Sequence, residues 1–220
     1  MKAVLAVFLK APRPGAVKTR LIPALGPATA AGLYRALAED VLRNTTPRPG
    51  DYERLLFFTP TQARAEMEAW FPGAALLAQQ DGDLGARMSA AFDEAFRGGA
   101  ERVALVGSDV PDLTRDDVLA ALASLEDHDL VLGPARDGGY YLIALERPRA
   151  ELFRGIAWGT SSVFGATMER ASALGLTVRL LDERRDIDTL EDIRAEWPRI
   201  RPLLAGPHRE AIAAALAGTA

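Results

Sequence analysis

Residues 3–9, Ala-Val-Leu-Ala-Val-Phe-Leu, are apolar at both parities. A half-exposed strand alternates, so this run predicts a strand covered on both faces inside a parallel sheet. Comparable runs recur at 54–59, 103–107, 130–133 and 141–145, with shorter ones at 75–79 and 177–181. Between them the pattern changes to helical spacing. Gly26-Pro27 opens a helix to about Asn44 with Leu33, Leu37 and Val41 on one face, and Pro27 suits the first turn. Further helices are predicted over Thr61–Phe71, from the Asp81–Met88 turn to about Arg97, and from Thr114, where Asp117 stands at the third position of a capping box. Ser161–Leu174 aligns Phe164, Met168 and Ala171, a helix entered by Asp186-Ile-Asp188-Thr reaches Trp197, and Pro207–Ala217 forms the last one.

Strands alternating with helices predict a three-layer α/β/α sandwich, Rossmann-like, with a mostly parallel central sheet and right-handed crossovers. No repeat, linker or low-complexity stretch interrupts the pattern. Residues 1–220 are therefore expected to form one domain, with 198–220 as a C-terminal helical extension. A parallel sheet gathers the carboxyl ends of its strands along one edge. The polar segments at Lys10–Arg20, Ser108-Asp109 and Arg136–Gly139 are then expected to converge there.

Composition removes several chemistries. With no cysteine, disulfides, thiolate metal sites and thiol catalysis are excluded. The two histidines, His128 and His208, stand in no motif, against a serine-histidine-aspartate triad or a histidine-ligated metal. A net charge of −4 argues against nucleic acid as a partner and makes the basic loop a local feature. The amino-terminal apolar run is too short for a membrane span and lacks a clean cleavage pattern, so the expected location is the cytoplasm.

The loop after the first strand holds Lys10, Arg13, Lys18 and Arg20, stiffened by Pro12 and Pro14 and made tractable by Gly15. A stiff basic loop at the end of a buried parallel strand suits an anionic ligand, with Lys18 and Arg20 as phosphate contacts; a solvated surface loop is the plainer alternative. The phosphate-loop motif fails because Val17 stands where it needs glycine, and no G-x-G-x-x-G follows the first strand. Gly107-Ser108-Asp109-Val110-Pro111 ends another buried strand; a carboxylate there suits magnesium or manganese, or else satisfies amides of its own turn. Asp188 reads either as a metal ligand or as a helix N-cap with Glu191 at N3. The D-x-D spacing of Asp186 and Asp188 resembles aspartate-dependent phosphatases, which carry it after the first strand, so that reading is set aside. Asp137-Gly138-Gly139-Tyr140 is either a flexible acidic turn over a second substrate or a plain hairpin turn. Trp158 and Tyr140 suit stacking on a base or sugar as well as simple core packing. Gly85 and Arg87 lie in a capped helix start, where Arg87 is placed to meet a phosphate.

Taken in order, Phe8–Gly15 with Lys18-Thr-Arg-Leu21, Asp83-Leu-Gly85 with Arg87-Met88, Gly107–Pro111, Gly133-Pro134 with Asp137–Tyr141, Trp158, and Asp186–Thr189 with Asp192 resemble a known family. It is that of the bacterial GT-A-type transferases termed radical-SAM/selenodomain-associated glycosyltransferases, and the likeness spans residues 1 to about 197. The resemblance implies the nucleotide-diphospho-sugar transferase fold, shared more distantly with phospholactate and molybdopterin guanylyltransferases. It implies that Lys10, Pro12, Gly15, Lys18, Arg20, Gly85, Arg87 and Ser108 bind the nucleotide, that Asp109 and Asp188 hold Mg2+ or Mn2+, and that Asp137–Tyr140 with Trp158 take the acceptor. Lys18, Arg20, Asp109 and Asp137 would carry the chemistry. One departure is the absence of the L-x-G-G-x-x-x-R-M loop of many nucleotidyltransferases; a Lys-Thr-Arg version replaces it. Three functions follow: nucleotidyl transfer from a nucleoside triphosphate to a small acceptor, glycosyl transfer from a nucleotide-sugar, or nucleotide binding without turnover. A homodimer is compatible with the C-terminal amphipathic helix.

Overall fold

A computed structural model describes residues 2–218. Seven strands, β1 (Ala3–Lys10), β2 (Glu53–Thr59), β3 (Leu76–Ala78), β4 (Arg102–Val106), β5 (Leu130–Pro134), β6 (Tyr140–Leu145) and β7 (Val178–Leu180), form one sheet in the order β3-β2-β1-β4-β6-β5-β7. All pairings are parallel except those of β6, which runs antiparallel to β4 and β5. The sheet is thus mostly parallel and, as its apolar runs predict, covered on both faces.

The helices are α1 (Ile22–Asn44), α2 (Arg64–Trp70), α3 (Leu84–Arg97), α4 (Arg115–Ser124), α5 (Val163–Ala173), α6 (Leu190–Ala195), α7 (Trp197–Ile200) and α8 (Gly206–Ala217). Alternation along β1 explains why its run is apolar at both parities. Leu5, Val7 and Leu9 pack with Ala31, Tyr34 and Ala38 of α1, Met67 of α2 and Val118 of α4. Val4 and Ala6 face the opposite layer, with Met88 and Phe92 of α3 and Ala171 of α5. Two cores on two faces make the sandwich.

Local chemistry sets the element ends. Gly26, at φ 74° and ψ 158°, breaks α1 after one turn, so the long helix proper begins at Pro27 as its sequence predicts. Thr114 and Asp117 form the expected reciprocal cap of α4, and Asp83 caps α3 through Ala86 N at 2.8 Å. The expected cap of α6 is corrected. Thr189, not Asp188, is the N-cap, and Asp192, not Glu191, completes the capping box. Asp192 Oδ2 accepts from Thr189 N at 2.8 Å, which leaves the Asp188 carboxylate free to turn elsewhere.

A third cluster joins the other side of α1 to the C-terminal helices. Leu21, Leu25, Leu33 and Leu37 pack with Ile187, Ile193, Ile200, Leu204 and Ile212. Two of these residues sit beside polar ones that matter below: Leu21 follows Arg20, and Ile187 lies between Asp186 and Asp188. Among the described residues no helix is long and apolar enough to cross a membrane. Ile187 is fully buried, so Ile187→Ala removes packing that cannot be refilled without movement. It is expected to cost about 2–5 kcal/mol, read as a lower denaturant midpoint at unchanged slope.

Candidate active site

The strand order creates a switch point. From β1 the chain proceeds outward to β2 and β3, then returns to place β4 on the other side of β1. A crevice opens at such a point beyond the carboxyl ends of the two strands. Here the 11–18 loop leaves β1 and Ser108-Asp109 leaves β4, and a cleft of about 630 Å³ lies over them.

Its centre is an ion triad drawn from three distant parts of the chain. Lys18 Nζ donates to Asp109 Oδ2 at 2.9 Å and to Asp188 Oδ1 at 2.7 Å. The Lys18 side chain is only 4% exposed, whereas each carboxylate keeps about a third of its surface open to the cleft. Lys18 reaches this place from a left-handed backbone, φ 47°, the single non-glycine residue of positive φ among those described. Such a conformation is uncommon for a side-chain-bearing residue, and the two ion pairs hold it. Arg20 Nη1 stands 3.5 Å from Asp188 Oδ2 on the exposed rim.

Electrostatics follow from that arrangement. Burial draws the Lys18 ammonium downward, but the charges of Asp109 and Asp188 outweigh it and hold its pKa above the ordinary lysine value. Burial pushes Asp109 upward, and Lys18 overcomes this, leaving its pKa below the usual carboxylate range. Asp186 has no cationic partner of this kind. Its pKa is pushed up to about 7, first by burial and then by the charges of Asp137, Asp109 and Asp188. Four carboxylates therefore share one space in which the closest cation is already engaged.

The backbone that presents them is tied from several sides. Ile187 N donates to Asp109 O at 3.2 Å, linking the two acidic segments directly. Arg184 Nη2 donates to Asp117 Oδ1 at 2.7 Å with its guanidinium over the Tyr141 ring, and Arg185 Nη1 donates to Asp192 Oδ1 at 2.7 Å. With Ile187 in the core, Asp186 and Asp188 both face the cleft. Gly107 leaves room for Asp109: a methyl there would stand 3.1 Å from Oδ1, so the carboxylate would have to give by a few tenths of an ångström.

Of the residues singled out in the sequence, Lys10, Lys18, Arg20, Arg87, Ser108, Asp109, Asp137, Gly139, Tyr140, Trp158 and Asp188 line the cleft together. Pro12, Gly15, Gly85 and Gly138 do not line it, although Gly85 and Gly138 shape its walls. Arg13 turns away to Glu66 of α2, with Nε donating to Oε2 at 3.0 Å. Gly85 seats the indole of Trp158, which a methyl would meet at 2.6 Å, and Gly138 lies against the Ser161 carbonyl, 2.2 Å from where its Cβ would be. Asp137 serves its own turn as well, accepting from Gly139 N at 2.8 Å.

Two cleft residues escaped the sequence reading, and a third, Asp186, stands there only for a D-x-D spacing that is set aside. Asp186 carried a usable signal, since carboxylates two apart in non-helical backbone share a face. Gln79 and Tyr34 carried none. Gln79 is buried at the end of β3, where Nε2 donates to Phe57 O at 2.9 Å and ties neighbouring strand ends. Tyr34 lies on α1, with its hydroxyl 2.7 Å from Lys10 N and 3.0 Å from Ser108 Oγ.

The donor set is all oxygen, as a hard divalent cation requires, yet among the described residues no three histidine, cysteine or acidic side chains are gathered as a metal cage. Two carboxylates that keep open oxygens suit a hard divalent cation such as Mg2+ or Mn2+. Magnesium is usually held by one or two carboxylates, with substrate phosphates and water completing its octahedron.

Comparison with known proteins agrees with this architecture. Residues 42–160 match the family described as "Uncharacterized protein conserved in bacteria (DUF2064)". The chain is 28% identical over 198 residues to a phosphoenolpyruvate guanylyltransferase of Chloroflexus aggregans, covering 84% of this chain and 93% of that one. It is 30% identical over 180 residues to a 2-phospho-L-lactate guanylyltransferase of Methanothermobacter thermautotrophicus, covering 80% and 76%. A crystal structure described as a nucleotide-diphospho-sugar transferase from Desulfovibrio desulfuricans superposes with a TM-score of 0.82 at 32% identity, over 94% of this chain and all of that one. The chain belongs to the DUF2064 family and is a transferase built on the nucleotide-diphospho-sugar transferase fold.

Proposed function

We propose that the protein transfers a nucleotidyl group from a nucleoside triphosphate to a small phosphorylated or hydroxylated acceptor and releases pyrophosphate. The observation that carries this reading is the Lys18–Asp109–Asp188 triad at the β1/β4 switch point, where a buried ammonium and two half-open carboxylates face one cleft. The guanylyltransferase relatives support it. In this reading residues 1–220 act as one domain, with the helices after residue 198 backing the site.

The acceptor oxygen attacks the α-phosphorus in line, and the bond from that phosphorus to the bridging oxygen of pyrophosphate breaks. A divalent ion would be held by Asp109 and Asp188, with Asp186 beside them, and when bound it neutralises phosphate charge as the leaving group departs. The chain supplies the rest. Lys18 and Arg20 place positive charge on the phosphates, and Lys10 and Arg87 extend that charge along the cleft. Asp137 and the Gly139–Tyr140 backbone orient the acceptor, with Trp158 as its floor. Rate comes from positioning and fixed charge, so a site without histidine or cysteine suffices.

Phosphorus NMR tests the reaction class. With GTP or CTP, magnesium and a panel including phosphoenolpyruvate, phospholactate and sugar phosphates, the expected product pair is pyrophosphate and a new diester of phosphoric anhydride type. Nucleoside diphosphate released from a nucleotide-sugar, with triphosphates inert, would establish glycosyl transfer instead. Asp109→Asn is expected to lower turnover about a hundredfold or more, measured below its melting temperature, which should fall because the buried Lys18 keeps only one carboxylate. Lys18→Met removes the cation that holds Asp109 down. Its carboxyl should then titrate at higher pH than in the parent, followed by carbon-13 chemical shift; an unmoved titration would mean that Lys18 does not govern it.

A further inference from the structure

The floor of the cleft contains a hydrogen-bond chain whose direction can be worked out from donor counts. Lys10 N is a donor only, so at 2.7 Å the Tyr34 hydroxyl oxygen accepts from it. The phenol has one proton of its own, and Ser108 Oγ lies 3.0 Å away. If Ser108 donated instead, the Tyr34 oxygen would accept twice and its proton would be left without a partner in a side chain only 4% exposed. An unmade bond at such depth is costly, so Tyr34 donates and Ser108 accepts. Burial raises the Tyr34 pKa, which keeps that proton in place.

Ser108 is then left with its hydroxyl proton. The residue is 5% exposed and lines the cleft, and among the described residues Oγ has no second partner. Its neighbour in sequence is Asp109, which meets Lys18 within the same cleft. A group placed there to accept this hydrogen bond needs a free lone pair, and an anionic oxygen gains most.

We propose that Tyr34 is a positioning residue: by occupying the lone pair of Ser108 it turns the Ser108 hydroxyl into a fixed donor for a phosphate oxygen of the bound triphosphate. The proposal rests on reading the cleft as a triphosphate site. Tyr34 itself never touches the nucleotide. It acts through Ser108, and its other bond, from Lys10 N, locks the phenol so that the relay has one direction. Without it the Ser108 hydroxyl is free to rotate and to donate to Asp109 or to water.

A double-mutant cycle tests this. GTP with magnesium, or CTP with magnesium if GTP does not bind, is titrated calorimetrically into the parent, Tyr34→Phe, Ser108→Ala and the double variant, with thermal melts recorded in parallel. Each single variant is expected to bind about tenfold more weakly, and the double variant no more than about tenfold more weakly in total. A purely structural Tyr34 would lower the melting temperature while its effect on binding added to that of Ser108→Ala, or was nil; either result overturns the proposal. If Tyr34→Phe does not fold, proton NMR of the parent decides: a slowly exchanging Tyr34 hydroxyl proton with a nuclear Overhauser effect to the Ser108 β-protons, together with about a tenfold loss in Ser108→Ala, supports the proposal, and a rapidly exchanging hydroxyl or full affinity of Ser108→Ala overturns it. A parent that binds neither triphosphate overturns the reading of the site and this proposal with it. A parent that binds while the variants match it overturns the relay alone.

Discussion

One buried ammonium holds the functional half of this molecule together. Lys18 Nζ bridges carboxylates that lie 91 and 170 residues away in sequence, so the loop after β1, the end of β4 and the segment before α6 meet at a single charge. Withdrawing a lysine from water is unfavourable, and one carboxylate partner would repay it poorly. Two partners, each still open to solvent on one side, keep the ammonium charged and let it persist in a left-handed backbone. The same arrangement is electrostatically unfinished, because Asp186 and Asp137 add negative charge that Lys18 does not offset. A site that is acidic when empty and lined by Lys10, Arg20 and Arg87 at its margins suits a ligand bringing both anions and a cation.

The remaining structure serves to hold those three segments in register. The sheet supplies the strand ends at fixed spacing, with β1 and β4 paired from Ala3↔Arg102 to Val7↔Val106. The C-terminal helices act from behind, where Leu21 and Ile187 enter one apolar cluster and place the polar residues beside them. Arg184 and Arg185 then fix the approach to Asp186 through partners on α4 and α6. Packing and polar contacts agree on the same placement, which is what gives a site a single geometry.

Much of this was legible in the chain. The seven-residue run at 3–9 announced a strand covered on both faces, though such a run does not fix direction: the run at 141–145 is equally apolar and lies antiparallel to both neighbours. Strand–helix alternation then forced the basic loop and Asp109 onto one edge. Residues whose roles depend on long-range pairing were harder to see. Asp188 has the local look of a helix cap, but Thr189 and Asp192 form a reciprocal capping box one residue on, and the Asp188 carboxylate meets Lys18 from a distant part of the chain. Tyr34 sits in a helix as one apolar-face residue among many; its hydroxyl matters because two strand ends from other parts of the chain arrive beside it. Glycines divided in the same way. Gly107 clears space for a carboxylate one could anticipate, whereas what Gly85 and Gly138 clear is packing against loops more than twenty residues distant.

The contact between Gly85 and Trp158 has its own consequence. The indole rests on bare helix backbone at the first turn of α3, so the position of this wall of the cleft is set by a hydrogen atom where other residues carry carbon. A larger residue there would have to lift the ring off the helix or do without it. The contour of that wall is thereby fixed by a residue that does not itself line the cleft.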